Sequence, residues 1–333
     1  MSSSRLTRAI ESGAVHLPAS GGIAVYRPPA GMDLSALPPS RMRIVHGFAP
    51  DHAYWAALGH AVSVEPPEEA AGAVVVVPRA KDLARSLVAR ALAHGGPVIV
   101  DGQKTDGVES LLKDLRARVQ VSAPVAKAHG KCFQIAGTPT ALADWVLPDL
   151  QRTASGWTTA PGAFSADGPD PGSVALGRAL PERLPGRVAD LGAGWGYLAF
   201  QALERRDVAE IALVEAEHSA LEAARANIRD PRAHFHWADA TRWEGQAAFD
   251  HVICNPPFHP DRAADPALGA AFIAAAARVL TPRGTLWMVA NRHLPYEKAL
   301  DAHFAETRPL GAAAGYKLVA ARRPRGTRSR SRR

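Results

Sequence analysis

"RVADLGAGWGYLAF", residues 187 to 200, passes from an apolar strand-like run through Gly192, Gly194 and Gly196 into a helical pattern. Strand, glycine turn and helix in that order open a doubly wound α/β sheet. Glycine lets the chain turn tightly and lets a ligand approach the main chain, and the helix then presents its first amides. A dinucleotide fingerprint would need another glycine at position 197, where Tyr197 stands. Asp190, just before the turn, discriminates further, because a carboxylate there suits a cationic amino group better than a pyrophosphate. The loop therefore favours S-adenosylmethionine over NAD.

Working outward, the strand within "IALVEAE" (211–217) ends in Glu215, 19 residues beyond Gly196, where a carboxylate can accept hydrogen bonds from both ribose hydroxyls of a nucleoside. The strand within "FHWADA" (235–240) then leads to Asp239, placed to receive an adenine amino group, with Ala240 supplying a backbone amide. Either acid alone is an ordinary strand-end residue. As successive strand ends after the glycine loop, they form one ligand-binding edge.

The next strand end is unusual. "DHVICNPPFHP", residues 250 to 260, stops a buried strand with two prolines, which removes two backbone donors. The Asn255 side-chain oxygen and the Pro256 carbonyl can accept both hydrogens of an exocyclic amine. Pro256 and Pro257 stiffen the loop, and Phe258 offers a ring on which a planar base can stack. Held this way, the amine aims its lone pair at a sulfonium methyl, and transfer needs no strong general base. His259 reads either as an assistant or as a loop histidine, and Asp261 as a solvated acid. The motif points to amine methylation without choosing the amine. Adenine, cytosine, guanine and the side-chain amide of glutamine all fit the two acceptors.

A chain of 333 residues favours two domains, and 47% hydrophobic with 21% charged content is ordinary for a globular protein. No apolar run is long enough for a membrane span, and the N-terminus lacks a signal core, so a cytoplasmic location is expected. Cys132 and Cys254 lack metal-ligand spacing, so neither a disulfide framework nor a metal site is expected. The net charge of +7 resides in the last twelve residues, "RRPRGTRSRSRR", whose seven arginines leave residues 1–321 at zero. That tail, 322–333, is expected to be disordered, and reads equally as a phosphate-contacting arm or a solubilising end.

The two halves share a grammar. "AVVVV" (73–77), a helical stretch, "PVIVDG", "GVESLLKDLR" and "KCFQIAG" match, in order and spacing, "FDHVICN", "LGAAFIAAAARVLTPRG", "TLWMVAN", "YEKALDAHFA" and "GYKLVAA". Where the second half has Asn255-Pro256-Pro257-Phe258, the first has Val77-Pro78-Arg79-Ala80, so the N-terminal half is expected to be non-catalytic. The Pro-, Gly-, Ser- and Thr-rich stretch 148–173 reads as the hinge, which divides the chain into 1–154 and 155–321 ahead of the tail.

The chain resembles the class I S-adenosylmethionine-dependent methyltransferases. More narrowly, it resembles the ribosomal RNA guanine-N2 methyltransferases of the RsmC type. The resemblance rests on "FSADGPDPGS" (164–173), "VADLGAGWGYLA" (188–199), "CNPPFH" (254–259) and "VANRHLPYEKAL" (289–300). "DGQKTDGVESLLKDL" and "KAHGKCFQI" in the first half add to it. It implies two tandem Rossmann-like methyltransferase domains with doubly wound, mostly parallel sheets, the first degenerate and supporting folding and RNA binding, the second catalytic. By resemblance, Asp190, Gly192, Gly194 and Gly196 line the methionine end of the cofactor, Glu215 the ribose and Asp239 the adenine. Asn255, Pro256, Pro257 and Phe258 hold the target guanine. Phe164 and Ser165 match a segment that closes over cofactor, and Gly168 and Gly172 are expected as turn residues.

Glu215 departs from the aspartate common in such enzymes. The tail and the proline-rich stretch 20–39 are not evident family features. The expected partner is ribosomal RNA or the small subunit, and two domains in one chain suit a monomer. A protein glutamine methyltransferase and a non-catalytic RNA-binding or assembly factor are the competing readings.

Overall fold

The computed structural model describes residues 4–257, 266–313 and 315–325, which divide into two units, Met1–Asp149 and Leu150–Arg333. In the first unit, short runs rich in Val, Ile and Ala extend and pair. They are β1 (Ile23–Tyr26), β2 (Met42–Val45), β3 (Val62–Ser63), β4 (Gly72–Val76), β5 (Val98–Gln103), β6 (Gln120–Val121), β7 (Val125–Lys127) and β8 (Gly130–Ala136). Across the sheet they run β3-β2-β1-β4-β5-β8-β6, with β7 paired to β8. The β1–β5 neighbours are parallel, and β8 is antiparallel to β5, β6 and β7. Successive side chains point to opposite faces. Val74 and Ile99 therefore join Leu6 of α1 (Arg5–Glu11) and Trp55 of α2 (Ala49–Ala57) on one side. Val75 and Val100 join Val88 of α3 (Lys81–Ala93) and Leu112 of α4 (Val108–Arg116) on the other.

The second unit begins with a hairpin, β9 (Gln151–Arg152) and β10 (Thr158–Thr159). Its sheet contains β11 (Arg183–Leu191), β12 (Arg206–Glu215), β13 (Ala233–Trp237), β14 (Phe249–Cys254), β15 (Leu280–Asn291), β16 (Phe304–Ala313) and β17 (Tyr316–Pro324). The order is β13-β12-β11-β14-β15-β17-β16, parallel from β13 to β15 and antiparallel in the two pairings that involve β17. Val188, Leu213, Ile253 and Val289 pack against α5 (Pro171–Ala179), α6 (Tyr197–Leu203) and α7 (His218–Asn227). Ala189, Val214, Cys254 and Met288 pack against α8 (Pro266–Val279) and α9 (Glu297–His303). Helices on both faces of a mostly parallel sheet make each unit doubly wound, as the sequence implied.

Leaving aside β7, the two strand orders are the same, and β4, β5 and β8 stand where β14, β15 and β17 stand. Register makes the correspondence residue by residue. Tyr26 pairs with Val45 and Val75 as Leu191 pairs with Val214 and Cys254. The next amides, of Arg27 and Gly192, donate to the Val45 and Val214 carbonyls at 2.9 Å in each case. The first unit thus carries Val25, His46 and Val76 at the positions of Asp190, Glu215 and Asn255. Sequence spacing had set Val77 against Asn255, and the sheet register moves the match to Val76.

Three local expectations are revised, and the stretch 20–39, for which no element was expected, gains one. The unit boundary falls at 149/150, near the start of the expected hinge, part of which folds as the β9–β10 hairpin and the start of α5. The proline-rich stretch 20–39 contains β1, the strand between β2 and β4. Residues 322–324 of the expected tail complete β17, and the Arg325 amide donates to the His303 carbonyl at 2.7 Å; the rest of the tail lies outside the described residues. Gly172 is not a turn residue but lies in the first turn of α5. Cys132 and Cys254 are both buried and unbridged. Among the described residues, no helix is long and apolar enough to cross a membrane, and no cluster of three or more His, Cys, Asp or Glu could hold a metal ion.

Candidate active site

Parallel strands bring their C-terminal ends to one edge, so Asp190 of β11, Glu215 of β12 and Asn255, just beyond β14, gather there. Alternation puts all three on the face of Val188, Leu213 and Ile253, the side covered by α5, α6 and α7. Asp239 lies two residues past β13, and Ala240 beside it is buried.

The glycine loop adopts left-handed backbone at Gly192, Gly194 and Gly196, with φ of 75°, 55° and 90°. At Gly196 a Cβ would stand 2.9 Å from Ile228 Cδ1, whereas at Gly194 it would meet nothing within 4 Å. The main chain at Gly194 is therefore open to a ligand. Its amide donates to Glu215 Oε2 at 2.8 Å, and the Glu217 amide donates to Oε1 at 2.8 Å, so Glu215 holds the loop while retaining lone pairs. Burial raises the Glu215 pKa against the opposing pull of these amides.

Asp190 is 1% exposed, and neither carboxylate oxygen has a hydrogen-bond partner among the described residues. Burial, against the pull of the Ala199 backbone amide and with a smaller push from the Glu215 charge, raises its pKa to about 8. An isolated buried carboxylate beside an open glycine loop fits a cationic ligand that also carries hydroxyls. Asp239 is more ordinarily satisfied. Its Oδ1 accepts from the Thr241 amide at 2.9 Å and the Thr241 hydroxyl at 2.6 Å, and Oδ2 lies 3.8 Å from Arg242 Nε.

Phe164 and Ser165 approach the glycine loop through their backbones. Trp195 Nε1 donates to the Phe164 carbonyl at 3.1 Å and to the Ser165 carbonyl at 3.3 Å, while the Phe164 side chain is 54% exposed. The hairpin is held to the same loop. Asn227 of α7 donates from Nδ2 to the carbonyls of Thr158 at 2.7 Å and Trp195 at 2.9 Å, and its Oδ1 accepts from the Thr158 amide at 2.8 Å. Trp157 packs its ring 5.3 Å from Trp195, 5.7 Å from Tyr197 and 5.1 Å from Phe200.

At the loop after β14, Pro256 is buried and Pro257 exposed, while Phe258, His259 and Asp261 lie outside the described residues. Asn255 Nδ2 donates to Asp170 Oδ2 at 3.1 Å and to Ser173 Oγ at 2.9 Å. Its Oδ1 is buried with no partner among the described residues. The side chain therefore offers an acceptor to whatever enters the edge. Asp170, Ser173, Asn227 and Trp195 were not singled out from sequence. "DPGS" does read as a capped helix start, with aspartate at the N-cap and proline after it, but nothing local says that the cap also meets a residue 85 positions later.

Residues 156–320 match the family described as the methyltransferase small domain. The chain is similar to ribosomal RNA small subunit methyltransferase C of Hahella chejuensis, 32% identical over 250 residues that cover 71% of this chain and 72% of that protein. The protein of the same description from Idiomarina loihiensis is 28% identical over 323 residues, 90% of this chain and 93% of its own length. A T. thermophilus 16S rRNA N2 G1207 methyltransferase, solved with AdoMet and guanosine, superposes with a TM-score of 0.75 at 24% identity. The match covers 92% of this chain and 90% of that one, and establishes a shared fold.

Proposed function

This chain belongs to the ribosomal RNA small subunit methyltransferase C family, and from that premise we propose that it moves a methyl group from S-adenosylmethionine to the exocyclic N2 amine of a guanine in small-subunit ribosomal RNA. The observation that carries the reading is the pairing, on one face of one sheet edge, of two buried and unpartnered acceptors: the Asp190 carboxylate and Asn255 Oδ1. S-adenosylmethionine bound there would supply a sulfonium methyl open to in-line attack by an amine lone pair, the carbon–sulfur bond breaking and the neutral thioether leaving.

Asp190 and the main chain at Gly192, Gly194 and Gly196 hold the cationic methionine end, Glu215 the ribose, and Asp239 with the Ala240 amide the adenine. Phe164 and Ser165 border the cofactor through the contacts of their carbonyls with Trp195. Asn255 Oδ1 and the Pro256 carbonyl accept the two amine hydrogens and orient the nitrogen, with Pro257 stiffening the loop and Phe258 stacking on the base. The amine becomes acidic as the carbon–nitrogen bond forms and gives up one proton to solvent, so the transfer needs no strong base. A guanine inside a duplex cannot present this amine, so the base is unpaired or flipped out before it docks. The same reading places the protein in the cytoplasm as a monomer, with the first unit, which lacks the acceptor residues, supporting folding and RNA binding.

The test is transfer of labelled methyl from S-adenosylmethionine to total RNA and protein of a strain lacking this gene, followed by nucleoside and amino-acid analysis. The expected product is N2-methylguanosine in small-subunit RNA. Label in protein glutamine would replace RNA with protein as substrate, and cofactor binding without label in any fraction would favour an assembly factor.

A further inference from the structure

An asparagine amide can present either end to a substrate, and nothing within Asn255 selects its oxygen. We infer that Asp170 is the residue that makes the selection, a positioning residue that fixes the amide so that its oxygen faces the target amine. The inference rests on the role proposed for Asn255.

Asp170 is 7% exposed, and its carboxylate can only accept. With Asn255 Nδ2 at 3.1 Å from Asp170 Oδ2, the present orientation makes a hydrogen bond. Flipping the amide would set two oxygens against each other at that distance. Ser173 Oγ, 2.9 Å from the same Nδ2, takes the second hydrogen, so the whole donor end is consumed and only the acceptor remains for the site. Asp170 is itself held on two sides. Its Oδ2 accepts from the Ser173 amide at 2.8 Å as the N-cap of α5, and its Oδ1 accepts from the Tyr316 hydroxyl of β17 at 3.2 Å. Gly172 allows this approach, because a Cβ there would stand 2.8 Å from the Tyr316 ring and 2.9 Å from Asp170 Oδ2. A helix cap, a strand tyrosine and a side-chain-free position thus converge on one rotamer of one amide. Such a lock favours an incoming donor and rejects an incoming acceptor, the discrimination an amine methylase needs.

The decisive comparison is Asp170→Ser against Asp170→Asn in the full chain. Serine keeps the helix cap but lacks the reach to Asn255, whereas asparagine can keep an oxygen at the position shared by the Ser173 amide and Asn255. D170S is expected to lower kcat at least tenfold with cofactor Kd and RNA KM within about threefold of the parent, and D170N to recover most of the loss. Ser173→Ala, which removes only the second acceptor, should lower kcat several-fold and provides the readout should D170S not fold. In an Asn255→Ala background, followed by single-turnover label transfer, D170S should cause no additional loss, because Asp170 acts through Asn255. Parental kcat in D170S, or losses that multiply in the double variant, would overturn the inference while leaving the role of Asn255 standing. Parental turnover in N255A alone would overturn both.

Discussion

In the role proposed for it, Asp190 serves a ligand at the expense of the empty protein. Its native form holds a proton up to about pH 8, while the unfolded chain releases it near pH 4. Stability of the ligand-free protein should therefore decline as pH rises between these values. A cationic ligand favours the ionised carboxylate, so binding should release a proton and strengthen as pH rises toward 8. Asp190→Asn is expected to weaken cofactor binding at least tenfold, to abolish its pH dependence, and to raise the melting temperature of the ligand-free protein at pH 8. Calorimetric titration in two buffers of different ionisation enthalpy, with thermal melts across the same range, would check all three. Asp190 and Asn255 could be singled out in sequence because each stands at the end of an apolar strand-like run. The contacts of Asp170 could not, since its partners Asn255 and Tyr316 lie 85 and 146 residues further along the chain.

The β9–β10 hairpin carries the lesson at the level of elements. Gly, Pro, Ser and Thr at high density serve linkers and tight hairpin turns equally, so composition read this stretch as a hinge. What folds it is Trp157, whose ring finds Trp195, Tyr197 and Phe200 around the glycine loop and α6, together with the three hydrogen bonds of Asn227. Asn227→Ala removes those bonds, each worth about 1 kcal/mol. The expected outcome is a roughly tenfold weaker cofactor, faster protease cleavage between residues 150 and 170, and a retained fold. Tryptophan fluorescence and timed digestion would measure it. Strand positions in the repeated segments, by contrast, were readable, because period-two alternation sends Val252 and Ile253 to opposite faces wherever the strand finds its neighbours.

In the whole molecule, duplication has left one unit with the acceptor residues and the other with a different centre. Arg5 of α1 makes a two-point contact with Asp101 of β5, at 2.7 and 2.9 Å, and adds a bond to the Lys127 carbonyl at 2.9 Å. Gly130 makes room for it, since a Cβ there would fall 2.0 Å from Arg5 Nη1. Both charged groups are buried, so truncating one strands the other. Asp101→Ala should destabilise the protein by about 3–5 kcal/mol in denaturant unfolding. Cofactor affinity of the folded fraction should remain close to the parent value.

The sequence by itself determined the α/β class, the repeat, the glycine loop and the acids and asparagine at successive strand ends, because these depend on local pattern and on the chemistry of single residue types. Only the tertiary structure decided that the first unit carries valine at the positions corresponding to Asp190 and Asn255, that part of the supposed hinge is a hairpin, and that Asn255 spends its Nδ2 on Asp170 and Ser173 and leaves its oxygen without a partner among the described residues. Those features depend on strand register and on side chains brought together from distant parts of the chain. A local pattern specifies which faces must be buried, but not which partner each one meets.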